Sequence, residues 1–140
     1  MLFGTSGIRG IYGKDVTEQL ALEIGRIYSD EHLVLGRDTR ESGPSLAAAV
    51  SSGVRQKGKD VFNVGVAPTP TVALATKKRN CNGIMVTASH NPPEYNGLKL
   101  FKKGREVSKA IEKKIEQEFK LDNNFAAKKY RGRISGRSCN

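Results

Sequence analysis

The residues best able to do chemistry lie in one stretch, Thr87-Ala88-Ser89-His90-Asn91-Pro92-Pro93-Glu94-Tyr95-Asn96-Gly97-Leu98-Lys99. Ser89 follows the apolar run Gly83–Thr87, which reads as a buried strand, so its hydroxyl would be held at a fixed point at the strand's end. His90 stands next to it, among further hydroxyl and amide groups. Pro92-Pro93 stiffens the loop, and Asn96-Gly97 can turn the chain back. Lys99 would then lie on a returning strand near the serine. A serine hydroxyl is a poor nucleophile without a base or metal to activate it, and neither is obvious in this stretch. A phosphorylated serine avoids the difficulty, because it can give its phosphoryl group away. It would carry about −1.5 to −2 charges and three acceptor oxygens, enough to bind Mg²⁺. The plain alternative is an Asn/Pro/Gly loop whose Ser and His only satisfy backbone groups.

Two other segments offer polar chemistry. In Phe3-Gly4-Thr5-Ser6-Gly7-Ile8-Arg9-Gly10 the glycines permit close backbone approach. Thr5, Ser6 and the backbone N–H groups are donors, and Arg9 adds a positive fork suited to a phosphate. Alone, such a loop also fits an ordinary turn. In Gly36-Arg37-Asp38-Thr39-Arg40-Glu41-Ser42-Gly43, the charged residues Arg37, Asp38 and Arg40 suit an ion-pair cluster that holds loops together.

The elements that must position these residues alternate in type. Phe3–Gly10 opens as a short strand or extended segment running into a Gly-rich loop. Thr17 can cap a helix to about Tyr28, with Leu20, Ile24 and Ile27 on one face. His32–Gly36 is a short buried strand. Ser42-Gly43-Pro44 starts a second helix that runs to about Lys57, where Gly58 ends it. Val61–Val66 is the next strand, and Ala67-Pro68-Thr69-Pro70 leads into a helix to about Arg79. Gly83–Thr87 is a third buried strand, Ala88–Asn96 a polar loop and Leu98–Phe101 a returning strand. Ser108 caps the last helix, with Ile111, Ile115 and Phe119 on one face. Such alternation predicts an α/β domain with a largely parallel sheet, and such sheets carry their working loops at the carboxyl ends of the strands.

Composition fits one soluble globular domain: 37% of the 140 residues are hydrophobic and 27% charged. No apolar run approaches the roughly 20 residues of a membrane span, and the first residues lack the pattern of a signal peptide. Cys81 and Cys139 fit no zinc spacing, and a reducing cytoplasm is the expected location. The net charge of +10 is uneven. Residues 1–101 carry 12 basic and 9 acidic side chains; residues 102–140 carry 12 and 5. The pattern fades after Asp122, and residues 123–140 read as a basic tail or truncated interdomain linker following a domain at 1–122. Lys128, Lys129, Arg131 and Arg133 could attract polyanions. No aromatic platform or nucleic-acid-binding motif accompanies them.

Taken together, FGTSGIRG, GRDTRESG, APTP and TASHNPPEYNGLK resemble the successive N-terminal signatures of the α-D-phosphohexomutases, the phosphoglucomutase/phosphomannomutase family. The resemblance spans roughly residues 3–119. It implies the family's first domain, a three-layer α/β/α sandwich on a mostly parallel, mixed, four-stranded sheet. It also implies roles. Ser89 would be the phosphorylated serine that shuttles the phosphoryl group, with one phosphate oxygen on Mg²⁺. Lys99 would be the general acid/base. Arg9 and His90 would lie against the reacting groups, with Thr5, Ser6 and Asn91 lining the site. The reaction would be reversible transfer between the 1- and 6-positions of a hexose phosphate through a hexose 1,6-bisphosphate.

Complete members of that family have four domains, and the remaining Mg²⁺ ligands come from an Asp-Gly-Asp-x-Asp loop in the second. No such loop occurs here, nor do the sugar-recognition and phosphate-clamping loops of domains III and IV. The chain therefore reads as part of a mutase, with little activity of its own: a fragment, the product of an interrupted gene, or a natural stand-alone domain. A competing reading is a non-catalytic module, derived from this domain, that binds a protein or polyanion.

Overall fold

The computed structural model describes residues 2–136, with side chains described through residue 122. In chain order the elements are β1 (Ile8–Ile11), α1 (Glu18–Ile27), β2 (Leu33–Arg37), α2 (Gly43–Gln56), β3 (Val61–Val66), α3 (Thr69–Arg79), β4 (Asn82–Val86), β5 (Tyr95–Lys102), β6 (Arg105–Glu106) and α4 (Lys109–Gly136). The sheet runs β1-β5-β4-β2-β3, with β6 attached to β5. β2 is parallel to β3 and β4, whereas β5 is antiparallel to β4, β1 and β6.

The sheet is mixed, as expected, but it has six strands rather than four. The two additions, β1 and β6, are four and two residues long and both pair with β5. β6 is too short to carry a pattern of its own, and β1, which falls at the end of the extended segment read at Phe3–Gly10, finds its partner far along the chain. The first segment also runs in the opposite order to expectation: the Gly-rich loop comes first and the strand follows from Ile8.

Side chains alternate across each strand, and the alternation builds the layers. Leu33 and Leu35, Ile84 and Val86, and Leu98 and Leu100 face a large core shared with α1, α2 and α4. Val34, Met85 and Phe101 face the other way, onto Val72 of α3. The result is three layers, α/β/α. In the large core the buried Tyr28 hydroxyl donates to the carbonyl of Phe101 at 2.7 Å, and burial raises the phenol's pKa well above its usual value.

The helices begin where their caps predict. Thr17 Oγ1 accepts the Leu20 N–H at 3.1 Å, with Glu18 in the first turn and Arg26 in the last. Arg26 also ties α1 to α4 through Asp122 at 2.6 Å. In α2, Pro44 lies in the first turn and the helix ends at Gln56, with Lys57 as its C-cap just before Gly58. Ser42 does not cap that helix; its hydroxyl accepts from Asn96 Nδ2 at 2.7 Å. Ser108 Oγ accepts the Ile111 N–H at 3.3 Å, and Ile111, Ile115 and Phe119 meet the core. The apolar repeat fades after Asp122, yet the α4 backbone stays helical to Gly136. The side chains of Lys128, Lys129, Arg131 and Arg133 lie outside the described residues, as does Cys139.

β3 forms one edge of the sheet. Phe62 is 38%, Val64 41% and Val66 57% exposed, with the Arg79 guanidinium 3.9 Å over the Phe62 ring. Among the described residues, no helix is long and apolar enough to cross a membrane.

Candidate functional site

β2 and β4 run side by side in the same direction, so the segments that leave them meet. Asp38, just past β2, donates its N–H to the Val86 carbonyl at 3.2 Å. Its carboxylate accepts the Thr87 hydroxyl at 2.6 Å. That hydroxyl oxygen in turn accepts the Ser89 N–H at 3.0 Å. Ser89 sits in the left-handed region, with φ +56°. For a residue with a Cβ this costs about 1–2 kcal/mol, and such strain persists only where surrounding bonds over-determine it.

Arg40 supplies those bonds. Its Nε donates to Asp38 Oδ2 at 3.2 Å. Nη1 donates to the carbonyls of Pro92 at 2.7 Å and Tyr95 at 3.0 Å. Nη2 donates to those of Ser89 and Asn91, both at 2.9 Å. The side chain is only 12% exposed. The expected ion-pair cluster is thus an Asp38–Arg40 pair; among the described residues Arg37 has no ion-pair partner.

The serine loop turns earlier than its sequence suggests. Asn91 N–H bonds to the Ala88 carbonyl at 3.1 Å and Tyr95 N–H to that of Pro92 at 3.0 Å. Asn96 and Gly97 make no turn: they lie within β5, opposite Gly10 and Arg9 of β1. The glycine is needed for close approach instead. A Cβ on Gly97 would stand 2.2 Å from the Ile8 carbonyl oxygen and 2.9 Å from that of Thr87. The mouth of the serine loop and β1 meet there.

The first loop, residues 3–7, lies along β5. Gly7 has φ +73°, and a Cβ on it would meet the Leu98 carbonyl oxygen at 2.4 Å. Arg9, exposed on β1, donates through Nε to the Ser6 carbonyl at 3.3 Å and through Nη1 to Asn91 Oδ1 at 3.2 Å. The second bond links the two loops. α4 and β6 hold the other side of the first loop. Glu116 accepts the N–H groups of Leu2 and Phe3, Lys109 Nζ donates to the Gly4 carbonyl at 2.8 Å, and the Ser6 hydroxyl reaches Glu106 at 3.3 Å. The Leu2 bond leads the causes that hold the Glu116 carboxyl below its usual pKa.

Between the loops opens a cleft of about 200 Å³, lined by Thr5, Ser6, Gly7, Arg9, Asn91 and Tyr95. It brings together four of the residues expected from sequence: Thr5, Ser6, Arg9 and Asn91. Ser89, His90 and Lys99 do not line it. His90 is exposed beside Ser89, and Lys99 is half-buried on β5 opposite Met85. Sequence reasoning passed over Tyr95 as a lining residue. It also missed Thr87 and Arg40 as supports of Ser89. The available signal was the position of GRDTR directly after a strand that must neighbour the serine strand. A larger cavity of about 500 Å³ opens between the first loop and α4. None of the residues expected to react lies in it.

Chemically, the site offers a strained serine at a strand end and, beside it, hydroxyl, N–H and guanidinium donors suited to a phosphate. It does not make a metal site by itself. Among the described residues no group of three or more His, Cys, Asp or Glu could hold a metal ion. Asp38, the carboxylate linked to Ser89, is already engaged by Thr87 and Arg40.

The architecture and these loops define an α/β/α domain that carries its serine loop beside a cleft lined by hydroxyl, amide and guanidinium groups. Residues 1–125 match the family model described as phosphoglucomutase/phosphomannomutase, alpha/beta/alpha domain I. The chain belongs to that family, as its first domain. It is 45% identical over 127 residues to a phosphoglucosamine mutase of Thermotoga petrophila, covering 88% of this chain and 29% of that protein. It is 40% identical over 137 residues to the phosphoglucosamine mutase of a Prochlorococcus marinus strain, covering 93% and 30%. A solved phosphoglucomutase/phosphomannomutase family protein from Burkholderia thailandensis superposes with a TM-score of 0.78 at 31% identity, over 88% of this chain and 30% of that one. The chain thus spans under a third of the length of these relatives.

Proposed function

We propose that this chain is the serine-bearing domain of a phosphohexomutase acting on hexosamine phosphates, with Ser89 as its phosphoserine. The observation that carries the reading is the backbone of Ser89: left-handed, fixed at both its N–H and its carbonyl, and adjoining the Arg9–Asn91 cleft. The hexosamine class rests on the relatives at 40–45% identity, which are phosphoglucosamine mutases.

In this reading phosphoserine 89 donates to the free hydroxyl of the sugar monophosphate. The Ser89 Oγ–P bond breaks as the sugar O–P bond forms, and the sugar hydroxyl's proton passes by way of Lys99 to Ser89 Oγ, which is released as a hydroxyl. The sugar 1,6-bisphosphate turns over in the site and returns its other phosphoryl group to Ser89 Oγ, whose proton passes by way of Lys99 to the sugar oxygen released as that O–P bond breaks. Positioning and charge neutralisation do most of the work, as in phosphoryl transfer generally. Arg9, Thr5, Ser6 and Asn91 hold phosphate oxygens in the cleft, and His90 borders the reacting groups. Mg²⁺ would take one oxygen from the Ser89 phosphate and its other ligands from outside this chain. The chain alone is expected to show no turnover, since sugar recognition would reside in domains II–IV. The cytoplasm is the expected compartment.

The test is complementation. Domains II–IV of the Thermotoga petrophila phosphoglucosamine mutase, lacking their own domain I, are assayed with this chain and glucosamine 6-phosphate. Conversion is expected with the unaltered chain and not with Ser89→Ala. Equal rates from both chains would remove the reading.

A further inference from the structure

We propose that Arg40 is a positioning residue for phosphoryl transfer, setting the backbone conformation from which Ser89 reacts. The inference rests on the phosphoserine reading above.

A guanidinium has five N–H donors in a rigid plane. In Arg40 all five are engaged: one on Asp38, and the other four on the carbonyls of Ser89, Asn91, Pro92 and Tyr95. Four carbonyls of one loop thus converge on one planar group, which forces the loop to curl around it. Ser89 is fixed at both ends of its backbone. Its carbonyl is drawn to Arg40 and its N–H to Thr87 Oγ1, and Thr87 is held by the same Asp38 carboxylate that orients Arg40. The left-handed conformation is the one that serves both bonds. The hydroxyl is then aimed by the backbone rather than by contacts of its own.

The same count separates Arg40 from the phosphate-binding groups. With every donor engaged it has none left for a phosphate oxygen, so its role is geometric. Lysine cannot replace it, because an ammonium has three donors radiating from a single point. Asp38 and Thr87 complete the device, one by orienting the guanidinium and the other by passing that orientation to the Ser89 N–H.

The test compares the unaltered chain with Arg40→Lys by NMR and by phosphoserine content. In the unaltered chain the Arg40 Nη protons are expected as separate, slowly exchanging signals. Averaged signals from a freely rotating guanidinium would overturn the proposal without any variant. In R40K the Ser89 Cα and Cβ shifts should leave their left-handed values. The Ser89, Asn91 and Tyr95 amides should exchange at least about tenfold faster, while core amides of α1 and α2 stay unchanged. Unmoved Ser89 shifts, or equal acceleration throughout the core, would overturn the inference. Phosphoserine formed at Ser89 when each chain is incubated with domains II–IV of the Thermotoga petrophila enzyme and a hexosamine 1,6-bisphosphate should fall at least about tenfold in R40K. Equal phosphorylation of both chains would overturn the role of Arg40 and leave the phosphoserine reading intact. No phosphoserine on either chain would overturn the phosphoserine reading and, with it, the catalytic meaning of the clamp.

Discussion

Arg40 and Arg9 both reach the serine loop, and they use the same functional group in opposite ways. Arg40 lies beneath the loop, 12% exposed, with every donor on protein oxygen. Arg9 stands exposed on β1 and touches the protein through Nε and Nη1, on Ser6 and Asn91. Among the described residues no hydrogen bond engages its Nη2. The difference separates scaffold from binding site. A saturated guanidinium stiffens the loop, whereas a half-engaged one at a cleft keeps donors for a ligand.

The largest expected effect follows from that contrast. Arg40→Ala leaves four carbonyls and Asp38 without their donor, and should cost about 3 kcal/mol of stability in urea unfolding. Arg9→Ala should stay within about 0.5 kcal/mol yet weaken binding of inorganic phosphate to the cleft. Equal stability losses in the two variants would erase the distinction. Gly97→Ala comes next, at about 2–3 kcal/mol, because its Cβ would strike backbone carbonyls of Ile8 and Thr87 that cannot swing away. A neutral effect on the melting temperature would mean that β1 and the serine loop are not locked together there.

Smaller effects probe the supports of each loop. Thr87→Val leaves the Ser89 N–H and the Asp38 carboxylate one partner short, and about 1–2 kcal/mol is expected. Beneath the first loop, the Leu2 and Phe3 N–H groups favour the charged form of Glu116, so its folded pKa lies below the unfolded one. Its contribution is therefore present above the ordinary carboxyl value of 4.5 and is lost as pH falls through the lower folded value. Glu116→Gln should remove that part of the acid dependence, at a cost of about 1 kcal/mol near neutral pH. An unchanged acid-unfolding profile would detach the first loop from α4.

Much of this was legible in the chain. Thr17, Pro44 and Ser108 marked helix starts through capping and Pro chemistry, which act locally. The apolar runs of β2 and β4 marked buried strands. The three polar segments marked the site by residue type. What stayed hidden depends on partners distant in sequence. β6 is too short to signal itself, and β1, legible as a short extended segment, takes its place only by pairing with β5. Asn96-Gly97 has the composition of a turn, but the crowding of β1 against Thr87 makes it strand. Arg40 read as one member of an ion-pair cluster, with Arg37 and Asp38, that holds loops together. Its four carbonyl partners lie roughly 50 residues onward, where no local pattern points.

The decisive measurement is a phosphosite map, by peptide mass spectrometry, of the chain after incubation with domains II–IV of the Thermotoga petrophila enzyme and a hexosamine 1,6-bisphosphate as phosphoryl donor. One phosphoryl group is expected, on Ser89, absent from a Ser89→Ala chain that melts at the same temperature. A chain unmodified at Ser89, or carrying its phosphate on another residue, would contradict the phosphoserine reading.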